Sequence, residues 1–225
     1  MLERILEPEV MDTKEDADEY ESIDNADVNE EFVNRALELA PSRGDVLDVG
    51  TGPGDIAVLF ARKAPALRVL AIDLGEHMLA IARSRVARAG LTGRVEISRG
   101  DAKATGFAPR SFEMVISNSL VHHVPEPEMF FAEMKRVSKP GAGYFVKDLH
   151  RPDSETEHRH LVETYAGDCT AYQRRLFSDS LRAALTVSEV TNICARLGFE
   201  DVVVRRCSDR HWCLERKAIV ALGTA

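Results

Sequence analysis

Short apolar runs alternate with segments of helical periodicity along this chain, and this alternation restricts its fold more than any other feature. The apolar runs have the length of buried strands and lie at residues 46–50, 67–72, 94–100, 112–118 and 143–149. Apolar residues at helical spacing occupy the segments 29–39, 54–63, 76–89 and 126–137. Strands separated by helices predict right-handed crossovers and a mainly parallel sheet that helices cover on both faces.

The pattern changes after residue 150. The segment 151–185 predicts two helices and starts with the candidate capping box Ser154–Glu157. A last helix follows, and the segments 202–206 and 212–222 predict two final strands joined by a short turn. We therefore predict the α/β class: a doubly wound, mainly parallel seven-stranded sheet with a C-terminal antiparallel hairpin and a helical insertion after the fifth strand.

The length of the chain and the distribution of its charges limit the classes of protein to which it can belong. At 225 residues the chain suits one domain with a sizeable core. Residues 1–31 hold 13 acidic residues against Arg4 and Lys14, so the acidic excess belongs to the N-terminal segment. The sequence has no dense Lys and Arg stripe with interleaved aromatic residues, which disfavours nucleic acid as a partner. It has no long apolar run and no signal-peptide layout, so we expect a soluble, cytoplasmic protein without a membrane partner.

Neither the cysteines nor a pair of histidines separated by one residue has the spacing of a metal site. The four cysteines show no CxxC spacing, so we expect neither a structural zinc site nor a redox motif. Reduced thiols are the default expectation, although Cys207 and Cys213 flank the predicted hairpin and could lie near each other. His158 and His160 would point to different faces of a helix. No metal ion is therefore expected.

A glycine-rich loop, DVGTGPGD at residues 48–55, lies between the first predicted strand and its helix. Gly50, Gly52 and Gly54 let the backbone turn tightly and approach a ligand, next to a helix N-terminus that attracts anions. Asp73 lies at the end of the next strand, where a carboxylate can accept hydrogen bonds from both ribose hydroxyls of a nucleoside. The alternative role for Asp73 is a cap on the following helix.

The spacing of the glycines discriminates between nucleoside ligands. Loops that bind a dinucleotide pyrophosphate read G-x-G-x-x-G, whereas this loop reads G-x-G-x-G with Asp48 before it. No bulky basic residue is placed for a phosphate. A nucleoside with an amino-acid end fits better, because the helix N-terminus would take its carboxylate and Asp48 would lie near its ammonium group.

The ordered motifs resemble those of class I S-adenosylmethionine (SAM)-dependent methyltransferases. VLDVGTGPGD is similar to the first motif, AIDLGEHML to the second, and RGDA stands at the third site. FEMVISNSLVHHVPEP and VSKPGAGYFVKD resemble segments of the small-molecule branch related to the quinone-biosynthesis methyltransferases. The resemblance covers about residues 30–150 and implies a Rossmann-like fold, SAM as cofactor and S-adenosylhomocysteine as product. The chain departs from it at Gly141-Ala142-Gly143, where relatives often have two consecutive glycines, and the insertion identifies no acceptor.

The resemblance also implies which residues bind the cofactor. Asp73 would bind the ribose, Asp101 the adenine amino group, and the backbone of Ala102 a ring nitrogen. Tyr20 matches a tyrosine that can close over the cofactor in many relatives; alternatively, it belongs to an amphipathic helix on the sheet. The implied set is Asp48, Gly50, Thr51, Gly52, Gly54, Asp73, Leu74, Met78, Asp101, Ala102, Asn118, Ser119 and Tyr20.

Three histidines are candidates for a general base toward the acceptor. His122 and His123 follow the fourth strand, beside the predicted cofactor, and His150 follows the fifth. The alternative for the first two is packing against the strand and capping the helix 126–137. Relatives with different substrates often carry a histidine at the position of His123, which favours a structural role there. The absence of an N-P-P-Y-type sequence after the fourth strand disfavours methylation of nucleobase amino groups.

We therefore expect a single methyltransferase domain over residues 1–225. It comprises an N-terminal helical segment (1–40), a SAM-binding core (41–150), the insertion (151–185) as a candidate substrate lid, and the last helix with the terminal hairpin (186–225). The expected reaction is in-line transfer of a methyl group to an O, N, C or S atom of a small-molecule acceptor, by a monomer or a homodimer. The alternatives are a SAM-binding regulator or partner protein without transfer activity, and an NAD-dependent oxidoreductase, which the glycine spacing and RGDA disfavour.

Overall fold

A computed structural model describes residues 2–7 and 25–219 of the chain. The elements, in chain order, are α1 (Ala26–Leu39), β1 (Gly44–Val49), α2 (Asp55–Lys63), β2 (Leu67–Asp73), α3 (Glu76–Arg88), β3 (Val95–Arg99), β4 (Phe112–Asn118), a 3-10 turn (Val121–His123), α4 (Pro127–Val137), β5 (Ser138–Leu149), α5 (Glu155–Ala166), α6 (Ala171–Ala183), α7 (Val187–Arg196), β6 (Val203–Arg206) and β7 (His211–Arg216). Within the described residues the strands form a seven-stranded sheet in the order β3-β2-β1-β4-β5-β7-β6. Strands β1 to β5 pair in parallel, and β7 runs antiparallel to β5 and β6. The predicted fold class is confirmed.

Both faces of the sheet are covered, which explains why its central strands read as continuous apolar runs. Successive residues of a strand point to opposite faces, so Val46 packs with Phe32 of α1 on one face while Leu47 packs with Phe131 of α4 on the other. These side chains are buried to 1% exposure or less. Trp212 of β7, which is also fully buried, belongs to the second cluster.

The order of the strands places a crevice at the carboxyl edge of the sheet. Strand β1 lies between β2 and β4, so the chain leaves β1 toward one side and later returns on the other. Open α/β sheets bind ligands at such a point, where the loops after adjacent strands diverge. The parallel register pairs Val49 with Ile72 and Asp48 with Ile116. The glycine loop, Asp73 and Asn118 therefore reach the same edge.

The segment after β5 contains the two expected helices, with one difference at its start. The Ser154 hydroxyl accepts a hydrogen bond from the Glu157 N–H at 3.1 Å, as an N-cap should. The Glu157 carboxylate accepts from the Asp153 N–H at 2.7 Å instead of the Ser154 N–H, so the predicted reciprocal box does not form. Helix α6 begins at an additional capping box, Thr170 with Gln173. None of the helices in the described ranges is both long and apolar enough to cross a bilayer.

The terminal hairpin differs from the prediction in its length and in its cysteines. Strand β7 ends at Arg216, before the predicted end at residue 222. Cys207 and Cys213 form a disulfide across the β6–β7 turn, with their Cα atoms 5.9 Å apart. The expectation of reduced thiols is therefore corrected for this pair, because the antiparallel hairpin brings its two cysteines within bonding distance. Cys169 and Cys194 are free.

Candidate functional site

A cleft opens at the carboxyl edge of the sheet, where the loops after β1 to β4 meet. It encloses about 1130 Å³, counting the space at its open mouth, which accommodates small-molecule ligands. The predicted cofactor-binding residues that line it are Gly50, Thr51, Gly52, Asp73, Leu74, Met78, Asp101, Ala102, Asn118 and Ser119. Asp48 and Gly54 are not among the lining residues, and Tyr20 lies outside the described residues. Most of the predicted cofactor set is thus gathered around one cavity.

The glycine loop adopts a backbone conformation that disfavours other residues. Gly50, Gly52 and Gly54 have φ angles of 73°, 53° and 84°, all in the left-handed region. The N–H groups of Gly50 and Thr51 donate to the Ile72 carbonyl at 2.9 and 3.0 Å, which fastens the loop to the end of β2. The loop is therefore held by main-chain bonds in a conformation that glycine makes accessible.

The three glycines serve different purposes. A Cβ on Gly50 would lie 2.8 Å from the Leu120 side chain, and one on Gly54 would lie 2.9 Å from the Cβ of Ala82 in α3. These two glycines allow protein segments to approach closely. A Cβ on Gly52 would meet nothing within 4 Å, and Gly52 lines the cleft. Gly52 is the glycine that leaves room for a ligand.

Asp73 links the end of β2 to this loop. Its Oδ2 accepts a hydrogen bond from the Gly52 N–H, and its Oδ1 accepts one from the Gly75 N–H, both at 2.9 Å. The side chain also lines the cleft. The backbone bonds fix the direction of the carboxylate, so it is presented to a ligand in a defined orientation.

Asp48 lies under the glycine loop. It is 2% exposed, and one carboxylate oxygen accepts a hydrogen bond from the Thr51 hydroxyl at 2.6 Å. Burial raises the pKa of Asp48 to about 7, the Thr51 bond partly opposes this, and the charge of Asp73 adds to it. Its predicted contact with a ligand ammonium group stays a prediction, because Asp48 is not among the described residues that line the cleft.

The opposite edge of the cleft is formed by the loops after β3 and β4. The Asp101 carboxylate accepts from the Lys103 N–H at 2.8 Å, which holds its side chain at the start of its loop. Ser119 has a φ of 53°, uncommon for a residue other than glycine. Its N–H donates to the Lys147 carbonyl of β5 at 2.9 Å. Strained backbone of this kind is often found at ligand sites, and here it turns the chain toward the cleft.

His122 is held by a buried carboxylate rather than exposed to the cleft. Its Nδ1 lies 2.6 Å from Asp148 Oδ1, and the other oxygen of Asp148 accepts from the Val121 N–H at 2.5 Å. Burial opposes protonation of His122, but the charges of Asp148 and Glu7 outweigh it and the pKa of His122 is raised. His122 is not among the described residues that line the cleft, so its role as a general base stays a prediction without a cleft contact.

His123 is the candidate histidine that does line the cleft. Its ring is 4.1 Å from the ring of His122, centroid to centroid. The Nδ1 of His123 lies 3.2 Å from Glu7 Oε1, and the Nε2 of His122 lies 3.6 Å from the same oxygen. Burial raises the pKa of Glu7, while the charge of His122 opposes that rise. The two histidines therefore share one acidic neighbour.

His150 lies away from this group. It is buried, and its N–H donates to the Arg210 carbonyl at 2.7 Å, so its backbone joins the terminal hairpin. Burial and the charge of Arg206 lower the pKa of His150. It is not among the described residues that line the cleft, so nothing places it next to an acceptor there. Its predicted catalytic role remains untested.

An N-terminal strap, which we define as residues 2–7, makes contacts that the sequence does not predict. The Arg4 guanidinium donates to the carbonyls of Ala183 at 2.7 Å, Val124 at 2.9 Å and Pro125 at 3.2 Å. These bonds bring Glu7 next to the two histidines. No local pattern distinguishes Arg4 and Glu7 within the acidic N-terminal segment, since their partners lie more than a hundred residues away.

Comparison with known proteins agrees with the geometry. Residues 46–141 match the family described as a methyltransferase domain. The ubiquinone/menaquinone biosynthesis C-methyltransferase UbiE of Bradyrhizobium diazoefficiens is 35% identical over 116 residues, which cover 49% of this chain and 46% of that protein. Its Geobacter sulfurreducens counterpart is 32% identical over 140 residues, 55% of each chain. The chain thus spans about half the length of these curated relatives.

A solved structure supports the fold over a larger part of the chain. The SAM-dependent methyltransferase of Aquifex aeolicus superposes with a TM-score of 0.66 and 20% identity, over 90% of this chain and 98% of that one. At this identity the likeness shows the fold alone. The resemblance seen in the sequence motifs is confirmed over residues 46–141, which match the methyltransferase-domain family and are similar to the quinone-biosynthesis methyltransferases.

Proposed function

We propose that this protein binds SAM in the cleft and transfers its methyl group to a small-molecule acceptor. The observation that carries the proposal is the placement of Asp73, whose two oxygens hold the Gly52 and Gly75 N–H groups while the side chain lines the cleft. A carboxylate fixed in this way beside a glycine loop suits the paired hydroxyls of a ribose. The similarity of residues 46–141 to methyltransferase domains supports the same ligand.

The residues present fit SAM along the length of the molecule. Asp73 would accept from the ribose hydroxyls, and Asp101 with Ala102 would receive the adenine. The open space at Gly52, next to the N-terminus of α2, would take the methionine carboxylate. An approaching ammonium group would lower the raised pKa of the buried Asp48, and the ionised carboxylate would then favour the methionine ammonium group.

The chain's own part in the reaction is to hold and orient an acceptor. When bound, SAM supplies an activated methyl group, so the protein needs mainly alignment and exclusion of water. His123 lines the cleft next to Asn118 and Ser119 of the implied cofactor set, and we assign the contact with the acceptor to the side of His123. The acceptor atom can be O, N, C or S.

We propose that the helices α5 and α6 form the lid over the acceptor, because α6 is connected through Glu7 to His123, which lines the cleft. They pack on each other through Leu161 and Leu181. The Ser180 hydroxyl donates to Glu7 Oε2 at 3.1 Å, which connects α6 to the strap beside His123. The insertion therefore adjoins the side of the cleft formed by Glu7, His122 and His123, which we call the histidine wall, as a segment that selects the acceptor would.

Calorimetric titration of the purified protein with SAM, S-adenosylhomocysteine and NADH tests the cofactor. We expect micromolar binding of the first two compounds and none of NADH. Incubation with SAM and acceptor mixtures then tests transfer, with formation of S-adenosylhomocysteine as the readout. Binding without turnover on any acceptor would favour a SAM-binding regulator. Binding of neither sulfur nucleoside would overturn the proposal.

A further inference from the structure

Three side chains of metal-binding type meet behind the wall of the cleft: Glu7 of the strap and His122 and His123 of the 3-10 turn. One ligand atom from each lies within 4.8 Å of the other two. Glu7 Oε1 is 3.6 Å from His122 Nε2 and 3.2 Å from His123 Nδ1. Ligands bonded to a tetrahedral Zn²⁺ at about 2.0–2.1 Å are about 3.4 Å apart. The spacing around Glu7 thus matches a metal site.

The neighbours of these groups resemble the outer sphere of a metal centre. Asp148 Oδ1 lies 2.6 Å from His122 Nδ1. When Nδ1 carries the proton and donates it to Asp148, the other ring nitrogen of His122, Nε2, has a free lone pair on the side of Glu7. Metal-binding histidines usually donate their second nitrogen to a carboxylate in this way, which fixes the tautomer. The Ser180 hydroxyl similarly holds Glu7 Oε2 and leaves Oε1 on the side of the histidines.

Glu7 Oε1 provides an independent indication of a ligand. The Glu7 side chain is 6% exposed, and Oε1 accepts no hydrogen bond from any residue that the structure describes. A buried carboxylate oxygen in this condition is costly, so a cation at this point would remove the cost. The charges here include the carboxylates of Glu7 and Asp148 and one guanidinium, that of Arg4, so a dication is attracted on balance.

We propose that Glu7, His122 and His123 bind a divalent first-row transition-metal ion, of which Zn²⁺ is the reference. Two histidines and one carboxylate are the ligand set of catalytic zinc and non-haem iron sites, and both leave coordination positions open. His123 lines the cleft, so an open position there adjoins the space for an acceptor oxygen or sulfur. In the metal-bound protein the two histidines are ligands and do not accept a proton. The ion's role toward an acceptor rests on the proposed function, whereas its binding does not.

The test is a metal titration of the chelator-treated full chain. We expect one equivalent of Zn²⁺ by calorimetry and visible absorption bands with Co²⁺ that report nitrogen and oxygen ligands. Glu7→Gln removes one ligand and preserves the shape of the side chain. It should weaken Zn²⁺ binding by more than about 100-fold, since outer partners alone carry about 10- to 100-fold. The matched control Glu3→Gln changes an exposed acid of the same strap and should leave binding unchanged.

A second readout needs no variant. In the Co²⁺-loaded native protein, NMR should show two paramagnetically shifted imidazole N–H signals, from His122 Nδ1 and His123 Nε2. Absence of these signals, no stoichiometric Zn²⁺ binding by the native chain, or full binding by folded Glu7→Gln protein would each overturn the proposal. S-adenosylhomocysteine titration of the same samples separates the two proposals. Cofactor binding without metal binding contradicts only the metal site, and metal binding without cofactor binding contradicts only the proposed function.

Discussion

The two walls of the cleft are built in different ways. The glycine-loop wall comes from one stretch of chain and is held by main-chain groups, such as the Gly52 N–H on Asp73 and the Gly50 N–H on Ile72. The histidine wall is assembled by side chains from separate segments: the strap, the 3-10 turn, β5 and α6. Arg4, for example, bonds both to the end of α6 and to the loop after the 3-10 turn. If the proposed function holds, a local backbone motif binds the cofactor, while the acceptor side depends on distant side chains.

The largest expected effect concerns Asp48, below the glycine-loop wall. Burial raises its pKa to about 7, against about 3.9 in an unfolded chain. An acid with a raised folded-state pKa contributes stability that is complete below pH 4 and is lost as the pH rises through 7. We therefore expect the unfolding free energy of the native protein to fall relative to that of Asp48→Asn as the pH rises from 5 to 8. The difference between the two proteins should change by on the order of 2–3 kcal/mol over this range. Urea unfolding without ligand measures this difference.

Asp27→Asn, at an exposed acid of α1, is the control for the Asp48 experiment and should show the native pH profile. Parallel profiles for the native protein and Asp48→Asn would mean that Asp48 is ionised in the ligand-free fold. The glycine-loop wall would then lack a pH-sensitive support.

Asp73→Ala tests whether the glycine-loop wall is the cofactor wall. Loss of charge-assisted hydrogen bonds to a ribose should cost about 2–3 kcal/mol, or a roughly 30- to 150-fold weaker affinity for S-adenosylhomocysteine by calorimetry. Glu96→Ala removes an exposed acid from the adjacent strand and should leave the affinity unchanged. An unaltered affinity in Asp73→Ala protein would remove the ribose assignment.

Arg4→Ala should lower the stability of the protein and leave its cofactor affinity almost unchanged, the reverse of what we expect for Asp73→Ala. The guanidinium makes charge-assisted bonds to several carbonyls, so its loss should lower the unfolding free energy by about 2 kcal/mol. Affinity for S-adenosylhomocysteine should stay within about twofold, because none of the described hydrogen bonds of the strap goes to the glycine loop or to Asp73. Glu3→Ala, on the same strap, should change neither quantity. If cofactor affinity fell in step with stability, the two walls would be one cooperative unit.

The smallest expected effect is that of Gly52→Ala. The new methyl group would enter the open space of the cleft and should weaken S-adenosylhomocysteine binding by about tenfold, or about 1.4 kcal/mol. Gly90→Ala is a close control, because Gly90 also has a positive φ, of 68°, with nothing within 4 Å of an added Cβ. Both variants carry a similar backbone strain of about 1 kcal/mol, and only the first should affect binding. Equal binding would place the ligand elsewhere in the cleft.

The difference between the walls also explains what could be predicted from the sequence. Buried parallel strands appear in the sequence as apolar runs. The glycine loop can be recognised because Gly50, Gly52 and Gly54 adopt left-handed φ angles that favour glycine. Most of the predicted cofactor set lines the cleft for this reason. Strand β5 begins at Ser138 rather than at residue 143, because an irregular register with β4 carries the ladder through the Lys-Pro-Gly segment.

Side-chain partnerships over long distances could not be predicted. The resemblance favours a structural role for His123 rather than for His122, yet Asp148 holds His122 in the interior while His123 lines the cleft. Which of two adjacent histidines faces a cavity depends on the turn that carries them. Glu7 and Ser180 meet only after the strap and α6 have docked, so neither has a local signature.

The strap has a consequence for the order in which the protein assembles. The Gly52–Asp73 bond joins residues 21 positions apart, whereas the Arg4–Ala183 bond joins residues 179 apart. Closing the longer loop costs more chain entropy and delays its contacts. Arg4 is synthesised long before Ala183 exists, so the strap must wait while the glycine loop folds. Pulse-labelling hydrogen exchange should therefore protect the Gly52 amide before that of Ile5, which bonds to the Arg182 carbonyl. A nascent chain would acquire its nucleoside pocket first and its histidine wall last.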